Sequence, residues 1–150
     1  MRKAIICDID FCLLDSSEPA MLKQRADYHM SEQESWQVYY DNLHLCKRNE
    51  WCYELLEKMT YNNDIKVIFI TGRSECARKA TKQFFKFRHD IDWDLYMRPD
   101  NCFDADSEVK RSIMKNIYED YDWLFALDDR EDNCAMFNEF GITTLKVSSF

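Results

Sequence analysis

Glycine and proline are nearly missing from this chain. Two of each occur in 150 residues, Gly72, Gly141, Pro19 and Pro99. That excludes a collagen-like repeat and a Gly/Pro-rich linker, and it gives each of the four a backbone job to do. Long apolar runs are missing too. Nothing approaches the roughly 20 apolar residues of a membrane span. The opening Met1-Arg2-Lys3 is followed by Ala4-Ile5-Ile6-Cys7 and then Asp8, a run too short for an export signal, so a cytoplasmic location is expected. Closely paired cysteines are also lacking. Cys7, Cys12, Cys46, Cys52, Cys76, Cys102 and Cys134 are odd in number, scattered, and include no CxxC pair. A disulfide scaffold or a zinc knuckle would show pairing, so reduced thiols filling core and loop positions are expected. Finally, there is no positive net charge. At −8 the chain will not coat itself in nucleic acid or dock on a membrane through a basic helix, although a local basic groove stays compatible with it.

What is present fits one domain spanning residues 1–150. Apolar residues at 46% and charged residues at 32% place it among soluble globular chains rather than disordered ones. No internal repeat occurs. Short apolar runs, Lys3–Asp8, Ile65–Thr71, Leu95–Met97, Trp123–Asp128 and Thr143–Val147, read as strands covered on both faces. Helical patterns lie between them. Glu50–Met59 puts Trp51, Leu55 and Met59 on one stripe, and Glu75–Phe87 stacks Ala77, Ala80, Phe84 and Phe87. Ser107–Tyr118 carries Val109, Ile113 and Ile117 behind an Asp106 N-cap. Glu131–Phe140 ends at Gly141, where a left-handed residue is wanted. Strand and helix in alternation predict an α/β, three-layer, doubly wound parallel sheet with right-handed crossovers and its ligand at the carboxyl ends of the strands.

Residues 15–48 break the rhythm. This polar stretch, with Pro19 and the aromatic patch Trp36, Tyr39 and Tyr40, reads as a loop and a helix inserted after the first strand. A surface excursion with its own satellite core and a small lid or substrate platform both fit.

Four polar features sit at strand ends or a helix start. Asp8-Ile9-Asp10 puts two carboxylates on one side of an extended chain, where mutual repulsion should raise one pKa; that suits a nucleophile beside an acid/base. Thr71-Gly72-Arg73 ends a strand in a hydroxyl and exposed backbone N–H groups, the chemistry of a phosphate cradle. Lys110 near a helix start opposes the helix dipole, and it could instead neutralise a phosphoryl oxygen. Asp128-Asp129-Arg130 ends an apolar strand in two acids, which suits an octahedral oxygen site for Mg²⁺. Singly, each has a bland reading: a turn, a strand-to-helix junction, a solvated lysine, solvated acids. Together, in this order on one sheet, they do not.

This order of motifs resembles the haloacid dehalogenase (HAD) superfamily of phosphohydrolases over residues 3–147. Its nearest likeness is the small, nearly capless branch that includes the phosphatase half of phage polynucleotide kinase/phosphatase, in which a stretch like Leu95-Tyr96-Met97-Arg98-Pro99 precedes the lysine helix. The resemblance implies that Asp8 is the nucleophile and a Mg²⁺ ligand, and that Asp10 is the acid/base and lends its backbone carbonyl to the metal. It implies that Thr71 and Lys110 hold the phosphoryl group and that Asp128 and Asp129 complete the metal site. The family usually follows DxD with Gly-Thr or Gly-Val, where this chain has Phe11-Cys12.

The expected substrate is a phosphorylated small molecule such as a nucleotide, or a nucleic-acid 3′-phosphate end. Gly72, Arg73, Arg98 and Arg130 are candidates for further anion contacts. Lys79, Lys82, Lys86 and Arg88 could track a nucleic-acid backbone or form a solvated face. Net charge and the want of a kinase segment lean towards small substrates. No obligatory protein partner is evident. Two other classes were weighed: a receiver-like phosphoacceptor, whose adjacent acidic pair would lie on the first strand, and an inactive binding module, which would have lost Asp8 or Asp128.

Overall fold

The computed structural model describes residues 1–148. Its centre is a five-stranded parallel sheet in the order β5-β4-β1-β6-β7, built from β1 (Lys3–Cys7), β4 (Ile65–Ser74), β5 (Trp93–Arg98), β6 (Asp122–Asp128) and β7 (Thr144–Lys146). Side chains alternate across these strands. Ile5, Cys7, Val67, Phe69, Leu95 and Leu127 therefore enter one core layer, while Ala4, Ile6, Ile68, Ile70 and Ala126 enter the other. The first layer is closed by α3 (Glu50–Thr60) and the Phe84–Phe87 segment, the second by α5 (Asp106–Ile117) and α6 (Glu131–Glu139). Tyr53, Phe69 and Phe137 are fully buried; each contributes about 2–3 kcal/mol of hydrophobic stabilisation. The doubly wound α/β sheet is thus present as expected.

Several local expectations are corrected. On α3 the buried stripe is Cys52, Tyr53, Leu56 and Thr60, while Trp51 is exposed and Leu55 and Met59 are only half-buried. The stripe is rotated because Cys52 and Tyr53 meet the sheet. The helix expected over Glu75–Phe87 is only a 3₁₀ turn, Glu75–Ala77, followed by α4 (Arg78–Lys82). Beyond it Phe85 stacks on Phe69 at 4.4 Å between ring centroids and meets Trp93 at 4.7 Å. Aromatic burial wins there over helix continuation, so Lys79 and Lys82 stand on α4 while Lys86 and Arg88 lie beyond it, all four exposed. Asp106 does not cap α5. Ala105 holds the N-cap position, and Asp106 begins the helix with its carboxylate turned to the site. Gly141 does carry the left-handed conformation foreseen, with φ 74°.

The insertion is more ordered than a loop and a helix. It runs through β2 (Leu14–Asp15), α1 (Ser17–Ala26), α2 (Glu32–Asp41), a 3₁₀ turn (Leu43–Leu45) and β3 (Lys47–Arg48), with β2 and β3 antiparallel. Ser31 and Glu34 form a reciprocal capping box at the start of α2, which closes two orphan backbone donors. Among the described residues no helix is long and apolar enough to cross a membrane.

Candidate active site

The site is assembled by strand register. Cys7 of β1 lies beside Leu127 of β6, and the Asp8 N–H donates to the Leu127 carbonyl at 3.0 Å. The next residue on each strand is an acid, so Asp8 and Asp128 emerge side by side at the carboxyl edge. Both are buried, and so is Lys110 on α5, which is 1% exposed. Its ammonium donates to Asp128 Oδ2 at 2.7 Å and to Asp8 Oδ1 at 3.0 Å, and stands 3.7 Å from Asp106 Oδ2. A lysine can be buried here only because carboxylates surround it. Burial alone would lower its pKa; Asp8, Asp128 and Asp106 outweigh that and raise it well above the usual lysine value.

Carboxylates nevertheless outnumber cations. Asp8, Asp128 and Asp129 bring oxygens within 4.8 Å of one another against the one Lys110 ammonium, while Asp106, the fourth acid, also has Arg98 Nη2 at 3.7 Å. Burial first, then Asp128, push the Asp8 carboxyl well above its ordinary range despite Lys110. Asp129 is raised too, by burial and by Asp128. A buried, hard-oxygen donor set with excess negative charge fits a divalent cation of the Mg²⁺ kind.

Asp10 lies in different surroundings. Arg73 grips it with both arms, Nε to Oδ2 at 2.9 Å and Nη2 to Oδ1 at 2.6 Å, and the Ser16 hydroxyl donates to Oδ1 at 2.5 Å. Burial would raise the Asp10 pKa, but Arg73, with Ser16 and Tyr39, takes it below the ordinary carboxylate value. This corrects the expectation that Asp8 and Asp10 repel each other. The carboxylate pressing on Asp8 is Asp128, from the neighbouring strand.

The strand end expected at Thr71 is displaced. β4 does not stop at Thr71 but runs on to Ser74. Thr71 is buried, and its hydroxyl accepts from the Arg73 N–H at 3.2 Å. Gly72 leaves room for Asp106: a Cβ there would meet Asp106 Oδ1 at 1.9 Å, and that side chain would have to shift. Arg73 is 2% exposed and committed to Asp10 and to Thr81 Oγ1 at 3.0 Å, so it has no free face for a substrate anion. Arg98 donates to the carbonyls of Gly72, Cys102 and Asp104 at 2.9, 3.2 and 2.6 Å, which fixes the loop ahead of α5. Arg130 pairs with Asp132 at 3.0 Å on the exposed rim.

Two residues were missed. Asp106 is the negative neighbour of Lys110. Asn133 donates from Nδ2 to Asp106 Oδ2 at 2.8 Å and to Asp128 Oδ1 at 3.1 Å, and its buried Oδ1 has no partner. The spacing Asp106–Lys110, one helical turn, is a signal that could have found the first.

The departure at Phe11-Cys12 has a backbone answer. Phe11 itself takes the left-handed conformation, φ 59°, which glycine reaches without strain and a phenylalanine reaches at a cost of about 1 kcal/mol. Above this turn the insertion is tied to β4: the Ser74 N–H donates to the Tyr40 hydroxyl at 3.1 Å. Trp36 stacks with Tyr40 at 6.0 Å and carries Lys23 Nζ 4.5 Å from its ring centroid.

The profile of the family described as polynucleotide kinase PNKP phosphatase domain matches residues 2–149. No curated protein sequence matches. Among solved structures, a chain of the Pnkp1/Rnl/Hen1 RNA repair complex is 26% identical with a TM-score of 0.75; it is matched over 100% of the present chain, which spans only 44% of that longer one. A predicted phosphatase from Clostridium acetobutylicum is 15% identical, with a TM-score of 0.68 and coverage of 100% and 88%. A HAD family enzyme from Bacteroides thetaiotaomicron, solved with magnesium and inorganic phosphate, is 13% identical, with a TM-score of 0.56 and coverage of 97% and 94%. The last two likenesses are of fold.

Proposed function

The chain belongs to the PNKP phosphatase-domain family of HAD-type phosphatases, and from that premise we propose that it is a Mg²⁺-dependent phosphomonoesterase acting on 3′-phosphate ends of nucleic acid through a phospho-aspartate on Asp8. The observation that carries the reading is the cluster of buried Asp8 and Asp128 on Lys110 with half-buried Asp129 beside them, whose negative excess asks for a cation beside the nucleophile. The cation would be held by Asp8, Asp128 and Asp129, with the Asp10 backbone carbonyl, and would offset the repulsion between an anionic nucleophile and an anionic phosphate.

In this mechanism an Asp8 carboxylate oxygen attacks phosphorus as the bond to the ester oxygen breaks. Lys110 and the Thr71 hydroxyl steady the phosphoryl oxygens. Asp10 gives a proton to the leaving oxygen, then takes one from the water that hydrolyses the acyl phosphate. Arg73 keeps Asp10 ionised in the arrangement described, which is the form that activates water. To act as the acid, Asp10 must loosen from Arg73 and take up a proton first.

We read residues 1–150 as one phosphatase domain, with 15–48 as a small lid over Asp10 and Arg73. The polynucleotide reading rests on the family and on the RNA repair assembly in which a similar protein was solved. Mononucleotides are the second reading, favoured by the net charge of −8. Seven cysteines, none paired among the described residues, suit a reducing compartment such as the cytoplasm. The test is phosphate release with Mg²⁺ from 3′-phosphorylated oligonucleotides and from mononucleotides. Preference for the oligonucleotide, weakening as salt rises, is expected; a salt-insensitive preference for mononucleotides would overturn the substrate, and turnover by Asp8→Asn at the parent rate would overturn the mechanism.

A further inference from the structure

Directly behind the nucleophile lies a second cluster that the phosphatase chemistry does not use. Cys7, one residue before Asp8, points into the opposite core layer. There its Sγ lies 3.9 Å from Cys12 Sγ and 3.8 Å from Cys52 Sγ, and all three sulfurs are within 4.8 Å of one another. Each residue is 0% exposed. They come from three elements: β1, the turn after Asp10, and α3.

We propose that Cys7, Cys12 and Cys52 form a site for one thiophilic, closed-shell cation of the Zn²⁺ or Cu⁺ class. Three thiolates bound at about 2.3 Å to one ion stand about 3.8–4.0 Å apart, in tetrahedral or trigonal arrangement. The two sulfur separations given above match that spacing, and the third lies within 4.8 Å, so an ion among the three needs at most the closing of one edge. Soft sulfur donors exclude Mg²⁺ and favour zinc and monovalent copper. Among the described residues no fourth His, Cys, Asp or Glu joins the three, and the residues packed around them are apolar, which favours low coordination. Each thiol that ligates releases its proton to solvent.

Occupancy would be felt at the nucleophile. The Cys7 thiol donates to the Asp8 carbonyl at 3.2 Å, and the Leu13 N–H donates to the same carbonyl. Metal capture removes the first of these bonds and tightens the turn carrying the second. The cluster thus couples thiophilic metal to the position of Asp8, independently of which phosphoester the enzyme hydrolyses.

The test uses Cd²⁺ as probe, on the full chain with Cys76→Ser and Cys102→Ser to remove the more accessible thiols, in excess Mg²⁺ to fill the carboxylate site. The expected result is one tightly bound equivalent, seen as the ultraviolet thiolate-to-cadmium charge-transfer band, with a rise in unfolding temperature. Adding Cys52→Ala or Cys12→Ala, with far-UV circular dichroism confirming the fold, should abolish both signals, whereas Cys134→Ala should keep them. The proposal is overturned if no band forms at one equivalent, or if the band and the thermal shift survive the loss of Cys12 or Cys52. Neither readout depends on phosphatase activity, so failure here leaves the hydrolase reading standing, and the reverse.

Discussion

Asp8 and Asp10 stand two residues apart in the same turn of chain, yet they live in opposite electrostatic conditions. Asp10 is matched: one guanidinium, two parallel hydrogen bonds, a serine hydroxyl, and a pKa held down. Asp8 is unmatched: one ammonium shared with Asp128 and Asp106, and a pKa pushed up by burial and by Asp128. The lesson is that residue type and spacing do not set the role. The matched acid contributes to stability as it stands. The unmatched acid costs stability as it stands, and the cation proposed above would offset that cost.

That contrast can be broken most severely at Asp8. Asp8→Asn should lower phosphate release by about 10⁴-fold or more, while raising stability measured without Mg²⁺ by about 1 kcal/mol. Chemical denaturation beside the activity assay checks both; a variant both inactive and less stable would erase the distinction. On the matched side, Arg73→Met leaves Asp10 part-buried without its counter-ion and should destabilise the fold by about 3 kcal/mol. A urea midpoint within experimental scatter of the parent would show that Asp10 is not so held.

Mg²⁺ sharpens the comparison further. At about 100 times its Kd it should add about 2.7 kcal/mol to the parent and far less to Asp8→Asn or Asp128→Asn, read as melting temperature with and without chelator. Equal shifts in all three would place the cation elsewhere. The smallest effect is on pH. Because the folded pKa of Asp10 lies below its unfolded value, its contribution is present above about pH 4 and is lost as pH falls through the folded value. Stability of the parent should therefore drop in that acid window, and that of Arg73→Met should drop less. Identical acid limbs would count against the Arg73–Asp10 pairing.

Much of this was legible in the sequence. The sheet could be read because buried parallel strands are continuous apolar runs, and Ile65–Thr71 is such a run. The charged cluster could be read because acids ending apolar strands are costly without a partner. The partners themselves were not legible. That Arg73 turns inward to Asp10, 63 residues away, depends on where the insertion places Ser16 and Tyr39. That Asp128, not Asp10, loads Asp8 depends on the β1–β6 register, which no local pattern encodes. The early end of α4 was hidden for a similar reason: Phe84 and Phe87 suit a helical stripe, yet Phe85 and Phe87 join the aromatic stack on Phe69 instead. The second helix of the insertion did carry a signal, the Ser31–Glu34 capping box.

The placement of β1 in the middle of the sheet has a consequence in time. Its acid is made first, but it stays incomplete until Lys110, 102 residues later, and then Asp128 have been synthesised and β6 has paired alongside. A chain leaving the ribosome therefore carries Asp8, the nucleophile of the mechanism proposed above, for most of its synthesis without the lysine and the second carboxylate that meet it in the fold. On the mechanism proposed above, hydrolytic competence would wait for the closing of the sheet, and its appearance would report that the β1–β6 pairing has been made in register.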